Sequence, residues 1–161
     1  MPKSLPLVKI PTPSLRERSV DVHPKTIGTP EFQTFLDNLT ETMFVENGVG
    51  IAAPQVGRNE RIIIVKDQSD ATAYINPTVE LLTDLDVESE EGCLSVPGVY
   101  GIVKRAKQVK VTALNRHART VSMLVKGFQA VVFQHEADHL NGILFVDKVE
   151  RYTKGSENLR V

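Results

Sequence analysis

The sequence has few of the features that link chains covalently or bind polyanions. Its 161 residues include one cysteine and no tryptophan. One cysteine cannot form an internal disulfide, so the chain suits a reducing compartment. Nineteen basic residues against twenty acidic ones give a formal net charge of -1. This balance argues against nucleic acid or an acidic membrane surface as the main partner.

Long apolar runs are also missing. No stretch approaches the roughly 20 residues of a membrane span. The amino terminus lacks the apolar segment and cleavage site of a secretory signal, and it is not rich in arginine like a transit peptide. We therefore expect a cytoplasmic protein without a membrane partner.

The length is sufficient for a single hydrophobic core, because chains of about 150 residues bury roughly two-thirds of their unfolded surface. We expect one domain over residues 1–161, in which any metal would serve chemistry rather than folding. Five prolines in residues 1–28 predict an extended arm laid over that domain. Residues 150–161 are polar and mixed in charge, which predicts a loosely held tail.

Hydrophobic spacing predicts an α+β fold, with antiparallel strands packed around a central helix. Thr29 is a good N-cap for a first helix that ends near Asn47-Gly48. A second helix should run from Phe128 to Asn141-Gly142. Strands or strand-like segments are predicted at 62–65, 73–75, 79–82, at the acidic edge 84–90, and in a hairpin over 107–125 with its turn at 115–118.

The second helix carries the pattern H-E-x-x-H at residues 135–139. At about 100° per residue, His135 and His139 lie about 40° apart on successive turns, so both imidazoles can reach one ion. Phe128, Val131 and Val132 share that stripe, which predicts that it is buried. Glu136 at the edge of the stripe could act on a water molecule as general base.

A catalytic tetrahedral site takes three protein ligands and leaves one position open, so a third donor is required. His23 and His117 fall in the arm and in a predicted turn, which are poor positions for a buried ligand. Cys93 follows Gly92, where the backbone can bend tightly, although a lone cysteine is usually a small buried residue. Glu150 is a further candidate.

Three hypotheses follow from these residues. The first is a metal-dependent amide hydrolase with Cys93 as third ligand, and the second is a metallopeptidase that uses Glu150 or another donor. The third is a binding module in which the metal only stabilises structure. Glu136 argues against the third hypothesis, because a closed structural site has no use for a spare carboxylate.

Three separated motifs resemble the peptide deformylase family: GVGIAAPQ at 48–55, EGCLS at 91–95 and QHEADH at 134–139. Their order and spacing are similar to the family's over roughly residues 5–148. The resemblance implies a hydrolase that removes the formyl group from the N-terminal formylmethionine of new proteins, with formyl-Met peptides and nascent chains as partners. Among departures, Ile51 stands where leucine is common, and the 115–118 turn lacks a frequent glycine.

The same resemblance implies roles for individual residues. Cys93, His135 and His139 would bind one divalent metal, with Fe(II) as the physiological ion and Zn(II) or Ni(II) as alternatives. Glu136 would be the catalytic carboxylate, and Gln55 with the Leu94 backbone NH would bind the oxyanion. The remaining implied residues are the methionine-pocket residues Val49, Gly50, Val131 and Val132, and the supporting pair Glu91 and Arg105.

The resemblance weakens towards the carboxyl end. Many family members continue into a C-terminal helix implicated in ribosome docking, whereas this sequence ends soon after Val149. We therefore do not carry ribosome docking by that route over to this chain.

Overall fold

The computed structural model describes residues 1–159, which contain three α-helices, four short 3-10 helices and eight strands. The helices are α1 (Pro24–Ile27), α2 (Pro30–Val45) and α3 (Phe128–Leu140). The strands are β1 (Gly50–Ala52), β2 (Ile62–Asp67), β3 (Asp70–Leu81), β4 (Leu85–Cys93), β5 (Val96–Ala106), β6 (Gln108–Leu114), β7 (Thr120–Lys126) and β8 (Val149–Lys154).

Two antiparallel sheets surround α3. One sheet has the strand order β1-β2-β3-β6-β7, and the other has the order β4-β5-β8. α3 contacts strands of both sheets, and its apolar residues pack into a core with β1, β2 and β6. The predicted α+β class, with antiparallel strands around the helix that carries H-E-x-x-H, is confirmed.

α2 closes the other face of the larger sheet. The Thr29 hydroxyl accepts a hydrogen bond from Phe32 N and caps the helix at the predicted position. Its buried side chains pack against β1 and β2, and the members of this cluster on α2 are Phe32, Leu36, Leu39 and Met43. β1 is therefore held between α2 and α3.

One long strand, β3, replaces the two strands predicted at 73–75 and 79–82. The sequence Asn76-Pro77 looks like a strand break, but the pairing with β6 continues across a register shift between Ile75 and Thr78. Asn76 adopts φ 52°, and its side chain exchanges two hydrogen bonds with the backbone of Val22. The irregularity is thus a β-bulge that the neighbouring arm stabilises.

Residues 1–28 lie over the domain with short helical turns at Pro13–Arg16 and at α1. Val8 N donates to Gln55 O at 2.7 Å, and Ile10 N donates to Ser95 O at 3.0 Å. The arm therefore connects the segment that carries Gln55 with the segment that carries Ser95.

The prediction of a loosely held tail from residue 150 is wrong for the part of the tail that the structure describes. Residues of β8 pair with β5, and Ser156–Leu159 forms a 3-10 turn. An edge strand is held by backbone hydrogen bonds, so its exposed polar side chains gave no sequence signal. Residues 160 and 161 of the predicted tail lie outside the described residues.

Candidate metal centre

His135 and His139 lie one turn apart on α3, and their ring centroids are 5.2 Å apart. His139 is 1% exposed, so α3 directs it into the protein interior rather than to solvent. The predicted buried stripe holds for Val131 and Val132 but not for Phe128, which is 66% exposed. Phe128 is the first residue of α3 and lines a cleft with its exposed side chain.

Cys93 ends β4, and only Leu94 and Ser95 separate it from its pairing partner Val96 on β5. This tight connection brings Cys93 Sγ to 3.3 Å from His139 Nε2. The ligand atoms of Cys93, His135 and His139 all lie within 4.8 Å of one another. By contrast, the alternative ligand Glu150 is exposed on β8, and His23 and His117 are exposed elsewhere.

The three side chains fit a bound metal. In a tetrahedral site with metal–sulfur and metal–nitrogen bonds of about 2.3 and 2.0 Å, sulfur and nitrogen lie about 3.5 Å apart. The observed sulfur–nitrogen separation of 3.3 Å is close to that value. Within residues 1–159, buried Glu136 Oε1 has no hydrogen-bond partner, as expected of a group that faces a cation-bound ligand.

His135 is oriented by Glu91. His135 Nδ1 lies 2.9 Å from Glu91 Oε1, and because an ionised carboxylate only accepts, Nδ1 carries the proton. Nε2 is therefore the nitrogen free to bind a metal, the usual arrangement for a histidine ligand backed by a carboxylate. His139 is buried beside His135, and burial, with the positive charge of Arg105 adding to it, lowers the pKa of His139 well below its usual value. A neutral imidazole is the form that binds metals.

Glu91 is itself held by Arg105 through two hydrogen bonds. Arg105 Nε donates to Glu91 Oε2 at 2.8 Å, and Nη2 donates to Oε1 at 2.7 Å. Burial favours the neutral acid, but the hydrogen bonds from Arg105 and His135 outweigh burial and lower the pKa of Glu91 to about 2. The structure thus brings together the pair that the resemblance implied, and the pair is buried rather than exposed.

Sequence reasoning missed two further members of this network. Arg105 Nη1 donates to Asp138 Oδ2 at 2.7 Å, and Lys148 Nζ lies 3.0 Å from the same oxygen. Asp138 lies inside H-E-x-x-H, three residues after His135, so helical spacing could have indicated it. Lys148 follows a 3-10 turn at Phe145–Asp147, and no local pattern links it to the site.

Glu136 is 4% exposed, and its carboxylate lies next to Gly50 of β1. Burial first, with the negative charge of Glu91 adding to it, raises the pKa of Glu136 to about 7. A β-carbon built on Gly50 would lie 2.8 Å from Glu136 Oε2 and 2.9 Å from Val132 Cγ1. Glycine at position 50 therefore leaves the space that this carboxylate occupies.

Gln55 directs its amide NH2 group towards the same centre. Its Oε1 accepts a hydrogen bond from Ala52 N at 2.9 Å, which fixes the amide so that Nε2 faces Cys93 and Ser95. Gln55 Nε2 lies 3.5 Å from Cys93 Sγ and 3.4 Å from Ser95 Oγ. Ser95 is fully buried and was not predicted as part of the site. Leu94, between Cys93 and Ser95, lines the adjoining cleft.

A cleft of about 550 Å³ opens beside these groups. Val131 and Val132 of α3 are buried in its wall, and Gly50 forms the facing part of β1. Val49 also lines the cleft and is 44% exposed. The cleft therefore joins an apolar region to a polar centre with three possible metal ligands, an unpaired carboxylate and an amide donor.

This arrangement defines a class of protein: a metallohydrolase with one mononuclear centre on an H-E-x-x-H helix. The family model for polypeptide deformylase matches residues 4–155. The chain belongs to this family, whose members are metal-dependent enzymes that remove the N-terminal formyl group from nascent proteins.

Individual relatives agree with this assignment. The chain is 46% identical over 149 residues to the peptide deformylase of Halothermothrix orenii. The matched region covers 91% of this chain and 94% of that protein. It is 46% identical over 125 residues to that of Fusobacterium nucleatum subsp. nucleatum, covering 77% and 72%. The Met-Ala-Ser-bound structure of the class I type b enzyme from Acinetobacter baumannii has a TM-score of 0.89 and 36% identity, with coverage of 92% and 100%.

Within residues 1–159, none of the helices combines the length and apolar character needed to cross a membrane.

Proposed function

We propose that this chain removes the formyl group from N-terminal formylmethionine and that its own residues have the following roles. Cys93, His135 and His139 hold one divalent cation, and Glu136 moves protons. Gln55 Nε2 and the Leu94 backbone NH stabilise the oxyanion. The observation that carries the proposal is the convergence of three ligand atoms within 4.8 Å beside the buried, unpaired carboxylate oxygen of Glu136.

A divalent cation at this centre supplies Lewis acidity and lowers the pKa of water towards neutrality. Glu136 lies on the same helix turn as the two histidines, where its carboxylate can accept a proton from the attacking water. It can then donate that proton to the departing amine, so one group acts as base and then as acid. Its burial against Gly50 keeps bulk water away from the transferred proton.

Two donors face the position where negative charge develops on the formyl oxygen. Gln55 Nε2 is held in place by the hydrogen bond from Ala52 N to its own Oε1. Leu94 belongs to the tight β4–β5 connection, which fixes its backbone close to Cys93. Hydrogen-bond donors that are already in position do not have to rearrange as the charge develops, so they stabilise an oxyanion effectively.

The methionine side chain is assigned to the apolar part of the cleft. Val131 and Val132 line it from α3, Gly50 lines it from β1, and Val49 borders its opening. β1 is an edge strand of its sheet, so an extended peptide can pair along it while its first side chain enters the cleft. The Met-Ala-Ser ligand of the Acinetobacter baumannii neighbour supports a peptide of this type as the ligand here.

Fe(II) is our proposal for the physiological cation. One thiolate with two imidazoles also suits Zn(II) and Ni(II), and affinity alone does not decide which ion is loaded in a cell. Anaerobic purification followed by elemental analysis tests this assignment, and zinc as the dominant ion in such preparations would contradict it. We also propose a cytoplasmic location, where nascent chains are made.

The function is tested by formate release from formyl-Met-Ala-Ser with metal-loaded protein. We expect Glu136→Gln to lower kcat by about 100- to 10,000-fold while the metal content stays at one ion per chain. Full activity in this variant would exclude the role of Glu136.

Glu150→Gln is the matched control, because Glu150 is exposed on β8. It should keep both metal and activity. Loss of metal from this variant, with metal retained after Cys93→Ala, would instead support the metallopeptidase hypothesis in which Glu150 is the third ligand.

A further inference from the structure

An aromatic ring lines the cleft together with residues of α3. Tyr100 of β5 is 40% exposed and borders the same cleft as Cys93 and Glu136. A β-carbon built on Gly92 would lie 2.5 Å from Tyr100 Cε1 and 2.8 Å from Cδ1. The ring therefore lies directly against the Gly92 backbone, one residue before Cys93, where a larger side chain would displace it.

The position of this ring is set by paired strands on both sides. Glu91 pairs with Gly101 on one side, and Lys154 pairs with Tyr100 on the other. Lys154 Nζ lies 5.7 Å from the centroid of the Tyr100 ring, within the range of a cation–π contact. The ring is thus carried by a strand that is paired on both sides rather than by a loop.

A bound peptide must pass this surface. With the formyl group at the metal centre and the methionine side chain against α3, the rest of the chain leaves along the cleft. Consecutive α-carbons are about 3.8 Å apart, so the second and third residues lie within about 4 to 7 Å of the methionine α-carbon. Gly92 and Tyr100 line this cleft next to the metal ligand Cys93, so the second and third residues are the ones within reach of the ring.

We propose that Tyr100 is a specificity-determining residue that favours formyl-Met peptides with an apolar or aromatic side chain at the second or third position. This inference rests on the proposed function of the site. An apolar or aromatic side chain of the peptide that covers the half-exposed ring removes apolar surface from water, which makes the binding free energy more favourable. Glycine at the same position leaves the ring in water.

The test compares kcat/KM for two peptide series, formyl-Met-Xaa-Ser and formyl-Met-Ala-Xaa, with Xaa as Phe, Leu or Gly. In the wild type we expect Phe and Leu to be preferred over Gly in at least one series. Tyr100→Ala should reduce that preference about five- to tenfold, while Tyr100→Phe should retain it because the ring stays on Gly92. If Tyr100→Ala does not fold, Tyr100→Leu replaces it, and the preference for Phe over Gly should fall.

Tyr152→Ala is the matched control. Tyr152 is 41% exposed on β8, close to the value for Tyr100, and it is not among the described residues that line the cleft. This variant should keep the wild-type preference. Equal preferences in the wild type and in Tyr100→Ala, with formate released by both, would overturn this inference alone. Absence of formate release by the metal-loaded wild type would overturn the proposed function as well.

Discussion

Replacing Gly50 with alanine tests the close approach of the β1 backbone to Glu136. The added β-carbon would lie 2.8 Å from Glu136 Oε2, 3.0 Å from Glu136 Cγ and 2.9 Å from Val132 Cγ1. Relief of these contacts requires a shift of about half an ångström or more in the carboxylate or in the facing backbone. A displacement of about 1 Å in a reacting group can lower the rate about 100-fold. We expect kcat to fall by about that factor.

Stability should change less than activity in Gly50→Ala. Overpacking typically destabilises a core by about 1 to 3 kcal/mol, which corresponds to a fall of about 2 to 12 °C in Tm for a chain of this size. The three atoms nearest to the new methyl group belong to Glu136 and Val132 and not to a metal ligand, so metal content should be preserved. Activity loss with intact metal binding and a modest fall in Tm is therefore the expected signature.

Formate release, elemental analysis and thermal unfolding together measure this prediction. Gly28→Ala is the control, since none of the described residues places an atom within 4 Å of a β-carbon added at Gly28. It should leave kcat unchanged. Wild-type kcat in folded, metal-loaded Gly50→Ala would refute the reasoning that Gly50 reserves the space of Glu136.

Two further substitutions test the other parts of the site. Gln55→Glu keeps an acceptor for Ala52 N but removes the NH2 donor, so kcat should fall about 100- to 1000-fold at unchanged metal content in a formate assay; a change confined to KM would contradict the oxyanion role. Arg105→Met leaves Glu91 buried without its ion-pair partner, which should lower the free energy of unfolding by about 3 to 5 kcal/mol in denaturant titrations and weaken metal retention on dialysis. Wild-type stability in Arg105→Met would show that the pair is dispensable.

Local patterns predicted the elements whose residues repeat with a clear period. The cap at Thr29 and the apolar spacing after it located α2, and the alternation over 107–125 located the β6–β7 hairpin. β5 and β8 were not predicted, because glycines interrupt the first and polar side chains dominate the second. Both strands are established by pairing with a distant partner, a property that no local window contains.

The residues of the site also separate into those that a local pattern predicted and those that only the tertiary structure brings together. Residues 135–139 by themselves determined that two imidazoles and a carboxylate lie on one helix face, because helical geometry places positions four apart on successive turns. Only the tertiary structure decided that the sulfur of Cys93 meets them, that Asp138 and Lys148 complete the charge network of Arg105, and that Phe128 is exposed. Those relations join residues far apart in the chain or depend on what covers a helix end, and long-range packing rather than local propensity determines them.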